Sequence, residues 1–467
     1  MKIKFNLVLF VTLIFYSNLN IFIHAQSKSA SKKLSSNYNS PFQTDKLSNG
    51  LDVITIENNN VPLVTISIAV RNGSFTEPEE FAGLSHLYEH MFFKANAVLP
   101  SQEVYMNRLH QLGIVFNGYT SDEVVVYFFT LPSKNLVEGV EFMANAIRSP
   151  MFKEDELARE RPVVLGEFDR NEAEPTFSLR YALDSAMWNP FVCRKQPLGQ
   201  RPVINSATVE KMKQIQKKFY IPNNSALIIS GDVKHKDVQS LAKKFLGDWQ
   251  KGENPFPTYS PPVFPPLVSQ LIQREAKVPD VLVRMLFRGH SVIKDGKDDY
   301  TAEIIGTILG QGTSKFYKKF IDSGLVTTGG FGFGSSMNVS SLGCYLTIPV
   351  DNVNKVIELI KKEIKEMSEK GYFTTEEIAT AKQIISDGKY FEQDNPQSFN
   401  INTTARIWSK ASLKYYDEFD KNSLTINEID INNYIKKYLL NKPFVLGIGS
   451  DKEESLKINA NDNLLKW

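Results

Sequence analysis

The sequence ALIISGDVKHKDVQSLAKKFLGDW at residues 226–249 joins a continuous apolar run, a Gly-Asp turn and an amphipathic segment. This order predicts a buried strand followed by a helix. PFVLGIGSDKEESLKI at residues 443–458 repeats it as a strand, a Gly-Ser-Asp turn and a shorter tail. Each half of the chain also opens with a strand-rich segment and then a helix, so the sequence predicts a tandem duplication. Strands mixed with long helices predict an α+β fold with an α/β sandwich in each half.

A proline-rich segment separates the two repeats. ENPFPTYSPPVFPPL, residues 253–267, contains six prolines, which donate no backbone hydrogen bond and favour an extended linker. The total length of 467 residues suits two domains. The predicted segments are a signal peptide at 1–25, a flexible tail at 26–45, an N-terminal domain at 46–252, a linker at 253–268 and a homologous C-terminal domain at 269–467.

Two β-rich stretches open the N-terminal domain. LDVITIENN at residues 51–59 and VPLVTISIAVRNG at residues 61–73 alternate between apolar and polar positions, with an Asn-rich turn between them. This pattern predicts that the two strands pair as a hairpin.

The first residues have the layout of a secretory signal. Lys2 and Lys4 precede an apolar run that ends at the small residue Ala25, and a Ser-, Lys- and Asn-rich stretch follows. The alternative is an uncleaved membrane anchor, although Asn18 and His24 interrupt the run. We expect export, to the periplasm of a Gram-negative cell or otherwise to the outside.

Charge and cysteine content restrict the chemistry. The formal net charge is only +2, which provides no basic field, so we expect no nucleic-acid partner. Cys193 and Cys344 are the two cysteines, one in each half. They argue against a disulfide-stapled fold and a cysteine metal site, although one bridge remains open. Any metal must be held by histidine and carboxylate.

The segment AGLSHLYEHMFFK at residues 82–94 predicts an amphipathic helix. At about 100° per residue, His86, Glu89 and His90 lie on one side. The opposite stripe is apolar, so we expect the polar side to lie away from the main core; the stripe consists of Leu84, Leu87, Tyr88 and Met91.

The pattern H-x-x-E-H suits a zinc centre. His86 and His90, two of only six histidines, stand four residues apart and can present two imidazoles to one ion. Glu89 can then act as the general base towards a water molecule whose pKa the metal lowers. The alternative is that these histidines are ordinary core or surface side chains, because a five-residue pattern has a false-positive risk.

A third ligand is needed to complete such a centre. In FKEDELARERPVVLGEFDRNEAEP, residues 152–175, Glu160 and Glu167 are seven residues apart and share one helix face. Either could ligate while the other supports the site, or both could belong to a solvated charged face. Pro162 predicts a kink or the start of a second helix.

With these motifs, nearly the whole chain after residue 25 resembles the pitrilysin/insulinase metallopeptidases, which include the mitochondrial processing peptidases. The resemblance rests on GLSHLYEHMFFK, on a glutamate 77 residues after the second histidine, on FNGYTSDEVVVYFF and on the SGDV turn. It implies one zinc ion per chain, bound by His86, His90 and Glu167. It also implies Glu89 as the base and Glu160 as an assisting carboxylate.

The resemblance gives a second expectation near Asn117 and Gly118, which stand just before an apolar strand. It implies that they belong to an exposed edge strand that pairs with the backbone of a peptide substrate. The alternative is a turn that enters a core strand.

One departure from the family concerns an Arg and a Tyr, seven residues apart, that stabilise the oxyanion. The corresponding stretch GTSKFYKKFIDSGLVTTGGFGFG has no Arg, and Thr327 or Thr328 stands where the Tyr is expected. We therefore predict a zinc-dependent endopeptidase that pairs with a homologous metal-free subunit supplying Arg and Tyr, or less favourably with a copy of itself. The alternatives are a non-proteolytic scaffold subunit and a zinc-containing peptide carrier.

Overall fold

The computed structural model describes residues 39–257 and 262–467. The predicted signal peptide at 1–25 and most of the predicted tail lie outside the described residues. Within the described part, no helix has both the length and the apolar character needed to cross a membrane. The described part of the predicted linker at 253–268 contains no helix or strand. The proposed domain boundaries stay a prediction.

Helices surround two β-sheets. Pro162 lies inside one of the longest helices, so it neither ends that helix nor starts a second one. The α-helices are α1 Leu84–Phe92, α2 Gln102–Leu112, α3 Leu136–Arg148, α4 Glu154–Glu172, α5 Phe177–Trp188, α6 Arg201–Asn205, α7 Val209–Phe219, α8 His235–Leu246, α9 Gly296–Leu309, α10 Lys315–Tyr317, α11 Val353–Met367, α12 Thr375–Asp394, α13 Pro396–Ser398, α14 Ala405–Lys410, α15 Leu413–Asp417, α16 Phe419–Ser423, α17 Glu428–Tyr438 and α18 Lys452–Ser455.

The first sheet has six strands in the order β1-β2-β6-β3-β5-β4. β2 and β6 run parallel, and the other neighbouring strands are antiparallel. β4 pairs only with β5 and is therefore an edge strand. The strands are β1 Gln43–Lys46, β2 Asp52–Glu57, β3 Leu63–Val70, β4 Val115–Thr120, β5 Val125–Pro132 and β6 Ser225–Gly231.

The second sheet repeats this topology with five strands in the order β7-β11-β8-β10-β9. β7 and β11 are parallel, as β2 and β6 are, and the remaining pairs are antiparallel. The predicted α+β fold and its tandem duplication are confirmed. The strands are β7 Gln270–Glu275, β8 Val281–Arg288, β9 Thr328–Phe333, β10 Ser341–Ile348 and β11 Val445–Ser450.

The predicted hairpin between residues 51–59 and 61–73 is wrong. Both strands form, but β6 lies between β2 and β3 and pairs with each of them. Every residue of β6 is buried, so this strand needs a neighbour on both sides. A short Asn-rich turn does not provide enough contacts to compete with that pairing.

The predicted flexible tail is also wrong at its end, because residues 43–45 belong to β1, which pairs with β2. The preceding Phe42 is only 8% exposed. Its ring centroid lies 5.7 Å from that of Phe399 and 5.4 Å from that of Tyr416. This apolar anchor at the end of a polar stretch holds the strand in place.

The two halves pack against each other's sheets. From the first half, α5 lies on the second sheet, where a Cβ on Gly447 would come within 2.7 Å of Leu183 and one on Gly449 within 2.9 Å of Leu179. A larger residue at either position would have to displace these buried leucine side chains. The glycines in VLGIGS therefore make room for a helix from the other half.

In return, the second half places residues 396–410 against the first sheet. This stretch, called segment 396–410 below, consists of α13, a π-helical turn at Phe399–Thr404 and α14. The buried amide of Asn400 donates hydrogen bonds to the backbone of β3 at Thr65 and of β6 at Ile228. These bonds fix the segment on the face of the first sheet.

Candidate metal centre

Helix α1 begins at a tight contact that only glycine permits. Gly83 has a φ of +93°, and a Cβ there would lie 2.4 Å from the carbonyl oxygen of Leu198. The buried carboxylate of Glu77 accepts hydrogen bonds from the amides of Gly83 and Ser85 at 2.7 and 2.6 Å. These two hydrogen bonds satisfy free amides at the start of α1. With the Gly83 contact, they fix the position of the helix.

The apolar stripe of α1 faces the core as predicted, with its four side chains at most 1% exposed; these are Leu84, Leu87, Tyr88 and Met91. The side chains of His86 and His90 are 16% and 14% exposed. They point towards α4, which packs beside α1. Helix α1 therefore turns its apolar side to the core and its histidines towards α4, as the sequence predicts.

Three side chains converge between α1 and α4. The Nε2 atoms of His86 and His90 are 3.3 Å apart. The carboxylate of Glu167 lies 3.5 Å from Nε2 of His86 and 3.7 Å from Nε2 of His90. Among the described residues, this trio alone groups three or more His, Cys, Asp or Glu ligand atoms closely enough for a metal ion.

The trio has the composition and spacing of a zinc site. Two neutral imidazoles and one carboxylate are a ligand set that leaves a tetrahedral ion one open position. Bonds of about 2.0–2.1 Å separate the ligand atoms of a tetrahedral ion by about 3.3 Å. The observed separations therefore fit zinc. Burial, followed by the neighbouring His90, lowers the pKa of His86 to about 3, so this imidazole is neutral.

Glu160 lies on the outer side of the trio. Its Oε1 is 2.9 Å from Nδ1 of His90, and its Oε2 is 2.6 Å from Nζ of Lys94. Burial opposes ionisation, but the hydrogen bonds from His90 and Lys94 lower the pKa of Glu160 below its usual value. Glu160 is therefore ionised and orients the His90 ring, while Glu167 faces the Nε2 atoms. The two glutamates therefore occupy different positions relative to the histidines, which the sequence left open.

The local field favours a cation. Burial opposes a charge on His90, but the Glu160 hydrogen bond and the nearby carboxylates raise its pKa above the usual value. Those carboxylates include Glu89 and Glu167. A divalent ion would neutralise the same excess of negative charge.

Glu89 lies beside the trio and under the edge strand. Its Oε2 accepts a hydrogen bond of 2.7 Å from Thr120. A Cβ on Gly118 would lie 3.0 Å from its Cγ and 3.2 Å from its Oε1. Burial raises the pKa of Glu89 to about 7. A carboxylate with this pKa can both accept and release a proton near neutral pH.

Asn117 and Gly118 both lie within the edge strand β4, not in a turn before a strand. The Gly118 amide donates to Oδ1 of Asn117 at 2.9 Å, so it points away from β5. The outer edge of β4 therefore carries a backbone donor next to Glu89. Their role in substrate binding stays a prediction.

Sequence reasoning missed the supporting residues. Lys94 ends the motif at 82–94 and Thr120 lies in the motif at 116–129, yet neither residue type shows that it would contact Glu160 or Glu89. In the second half, Thr327 donates to Asp280, and Thr328 begins β9.

Comparisons with known proteins identify the family of the chain. A family model described as insulinase (peptidase family M16) matches residues 52–197. A second model, described as the peptidase M16 inactive domain, matches residues 206–385. The chain therefore belongs to the pitrilysin/insulinase family of zinc peptidases, as the resemblance indicated.

Individual relatives are similar to this chain in sequence or in fold. The chain is 29% identical to an uncharacterised zinc protease of Rickettsia felis, over 45% of this chain and 51% of that protein. It is 25% identical to the mitochondrial-processing peptidase subunit beta of Saccharomyces cerevisiae, over 86% of this chain and 89% of the relative. The fold matches the crystal structure of the periplasmic protease PqqL from Escherichia coli with a TM-score of 0.74 and 17% identity, over 91% of this chain and 49% of that protein.

Proposed function

We propose that this protein is a zinc-dependent endopeptidase that hydrolyses peptides or unfolded segments. The observation that carries the proposal is the convergence of His86, His90 and Glu167 within 3.3–3.7 Å, next to the carboxylate of Glu89. The first three side chains would hold one zinc ion. When bound, zinc supplies a Lewis acid that activates water and polarises a carbonyl group.

Glu89 performs the proton transfers. Thr120 holds its Oε2, which leaves Oε1 to accept a proton from the attacking water. A pKa of about 7 lets the same carboxylate return the proton to the leaving amine. Glu160 positions His90 through the hydrogen bond to Nδ1.

The edge of β4 would bind the substrate backbone. A peptide added beside β4 would replace the Asn117 side chain as the acceptor for the Gly118 amide. Such pairing holds a chain of any sequence by its main chain. It would lay the bound peptide along the strand that contacts Glu89.

The partner proposal rests on the lack of an oxyanion-stabilising Arg and Tyr in the expected stretch. We propose that a homologous metal-free subunit supplies them, with a homodimer as the alternative. One relative is itself named as a subunit, and the chain covers only about half of another. The protein would act after export, because residues 1–25 resemble a signal peptide and PqqL of Escherichia coli is a periplasmic protease.

Zinc content and peptide hydrolysis measured on one sample test these points. We expect about one zinc per chain, with activity on quenched fluorescent peptides rising when a metal-free partner is added. Glu89→Gln should keep zinc and lower turnover about 10²- to 10⁴-fold. The matched control is Glu172→Gln, a half-exposed carboxylate on α4 that pairs with Arg201. Unchanged turnover in Glu89→Gln would exclude Glu89 as the general base. Absence of zinc from the unsubstituted protein would favour a non-proteolytic scaffold subunit.

A further inference from the structure

The side chains of β4 divide between the two faces of the first sheet. Phe116 packs against Phe93, which directly follows α1, with ring centroids 5.0 Å apart. Gly118 and Thr120 lie against Glu89 on the same face. Because side chains alternate along a strand, Asn117 and Tyr119 must project from the opposite face.

That opposite face is covered by the second half of the chain. The hydroxyl of Tyr119 donates to the carbonyl oxygen of Ile401 at 2.9 Å. Arg406 lies on the same segment 396–410, with its Cζ 5.6 Å from the centre of the Tyr119 ring. A guanidinium group is thus held beside the edge strand, on the side away from Glu89.

Arg406 has no acidic partner among the described residues. No carboxylate there forms an ion pair with its half-buried side chain, which is hydrogen-bonded to the neutral hydroxyl of Tyr119. Arg71, on the same face, is occupied by the ring and carbonyl oxygen of Trp408. Because a neutral hydroxyl does not neutralise the guanidinium charge, Arg406 can still bind a carboxylate from outside.

We propose that Arg406 is a specificity-determining residue that binds an acidic side chain of the substrate. The proposal rests on the proposed function, because it requires a peptide paired with β4. In such a pair, the residue opposite Tyr119 projects from the same face as Tyr119. Its side chain therefore approaches the guanidinium of Arg406.

The same geometry predicts an alternating preference. Peptide residues on either side of the favoured position project towards Glu89 and the metal trio, on the face away from Arg406. The effect of an acidic residue on binding should therefore depend on Arg406 at one position and be independent of it at the two adjacent positions. A general attraction between an acidic peptide and the protein would show no such alternation.

The test measures binding of labelled peptides by fluorescence anisotropy. A neutral ten-residue peptide carries a single Asp that is moved along it one position at a time, and each variant is compared with the Asn peptide. The protein is zinc-loaded Glu89→Gln, which binds without turnover. Arg406→Gln and Arg406→Glu are made in this background, and Lys414→Glu is the control because Lys414 is an exposed cation with 76% of its side chain accessible.

At one position, we expect Asp to lower Kd about tenfold relative to Asn, which is about 1.4 kcal/mol. Arg406→Gln should abolish this difference and leave the Kd of the neutral peptide within about twofold. Arg406→Glu should make Lys the preferred residue there, whereas Lys414→Glu should keep the Asp preference.

The proposal is overturned if no peptide binds, if Asp and Asn bind equally at every position, or if the Asp preference survives Arg406→Gln. Failure of the proposed function gives a different result. In that case the zinc-loaded protein with Glu89 intact binds these peptides but hydrolyses none of them.

Discussion

Glu160 and Glu167 should have unequal effects on zinc affinity, because they face opposite sides of the histidine pair. Glu167 lies 3.5 and 3.7 Å from the two Nε2 atoms, whereas Glu160 contacts Nδ1 of His90. Removal of a group that only orients a ligand weakens metal binding about 10- to 100-fold. This range corresponds to about 1.4–2.8 kcal/mol.

We expect Glu160→Gln to weaken zinc binding about tenfold, at the low end of that range, because its amide oxygen can still accept from Nδ1 of His90. Glu160→Leu should approach about 100-fold, because it also leaves Lys94 without its carboxylate. Glu167→Gln should exceed both, because it removes the charge of a direct ligand.

Zinc dissociation constants are measured by competition with a chromophoric chelator, and circular dichroism verifies that each variant is folded. Glu172→Gln, on the same helix, should match the unsubstituted protein. If Glu160→Leu weakens zinc binding more than Glu167→Gln does, the assignment of the third ligand is wrong. If neither variant differs from Glu172→Gln, the trio is not a zinc site.

Three further predictions concern the candidate base, the contact between the two halves and the start of α1. Gly118→Ala should lower kcat about tenfold with zinc retained, because the new Cβ displaces the side chain of Glu89 by part of an ångström. The control is Gly166→Ala on α4, where a Cβ meets open space. Equal kcat values in the two variants would contradict the expected contact. Gly447→Ala should lower the free energy of unfolding in urea by about 1–3 kcal/mol, because the new Cβ meets Leu183. Leu183→Ala is destabilising by itself but removes that clash, so the double variant should lose less than the sum of the two single losses; strictly additive losses would exclude the clash. Burial raises the folded-state pKa of Glu77 from 4.5 to about 7. The protonated carboxyl group therefore contributes about 3 kcal/mol to the free energy of unfolding below pH 4.5, and this contribution is lost as the pH rises to about 7. The stability of the unsubstituted protein relative to Glu77→Gln should therefore fall between pH 4.5 and 7 in urea titrations, and a constant difference would refute the buried-carboxyl explanation.

The sequence could predict those parts of the site that depend on local periodicity. His86, Glu89 and His90 occupy one helix face because 3.6 residues make one turn, and that relation holds whatever the helix packs against. The spacing of Glu160 and Glu167 survived Pro162 because the helix continues through the proline. The repeated strand-turn-helix order likewise predicted the tandem duplication.

Pairings between distant segments could not be predicted in this way. The Asn-rich turn after β2 suggested a hairpin, but the deciding strand, β6, stands more than 150 residues further along the chain. The approach of Arg406 to Tyr119 depends in the same way on how the second half folds over the first sheet. Periodicity describes which face a residue occupies and carries no information about which segment covers that face.

The contact between the halves explains how the second half affects the candidate active site, although the metal trio lies in the first half. Segment 396–410 is fixed to β3 and β6 by Asn400 and to β4 by the hydrogen bond from Tyr119. The next residue of β4, Thr120, holds the carboxylate of Glu89. Because backbone and side-chain contacts connect these residues in series, a shift of the segment would move both the substrate edge and the base. The second half thus acts as part of the support for the chemistry, in addition to any wall it provides around a bound peptide.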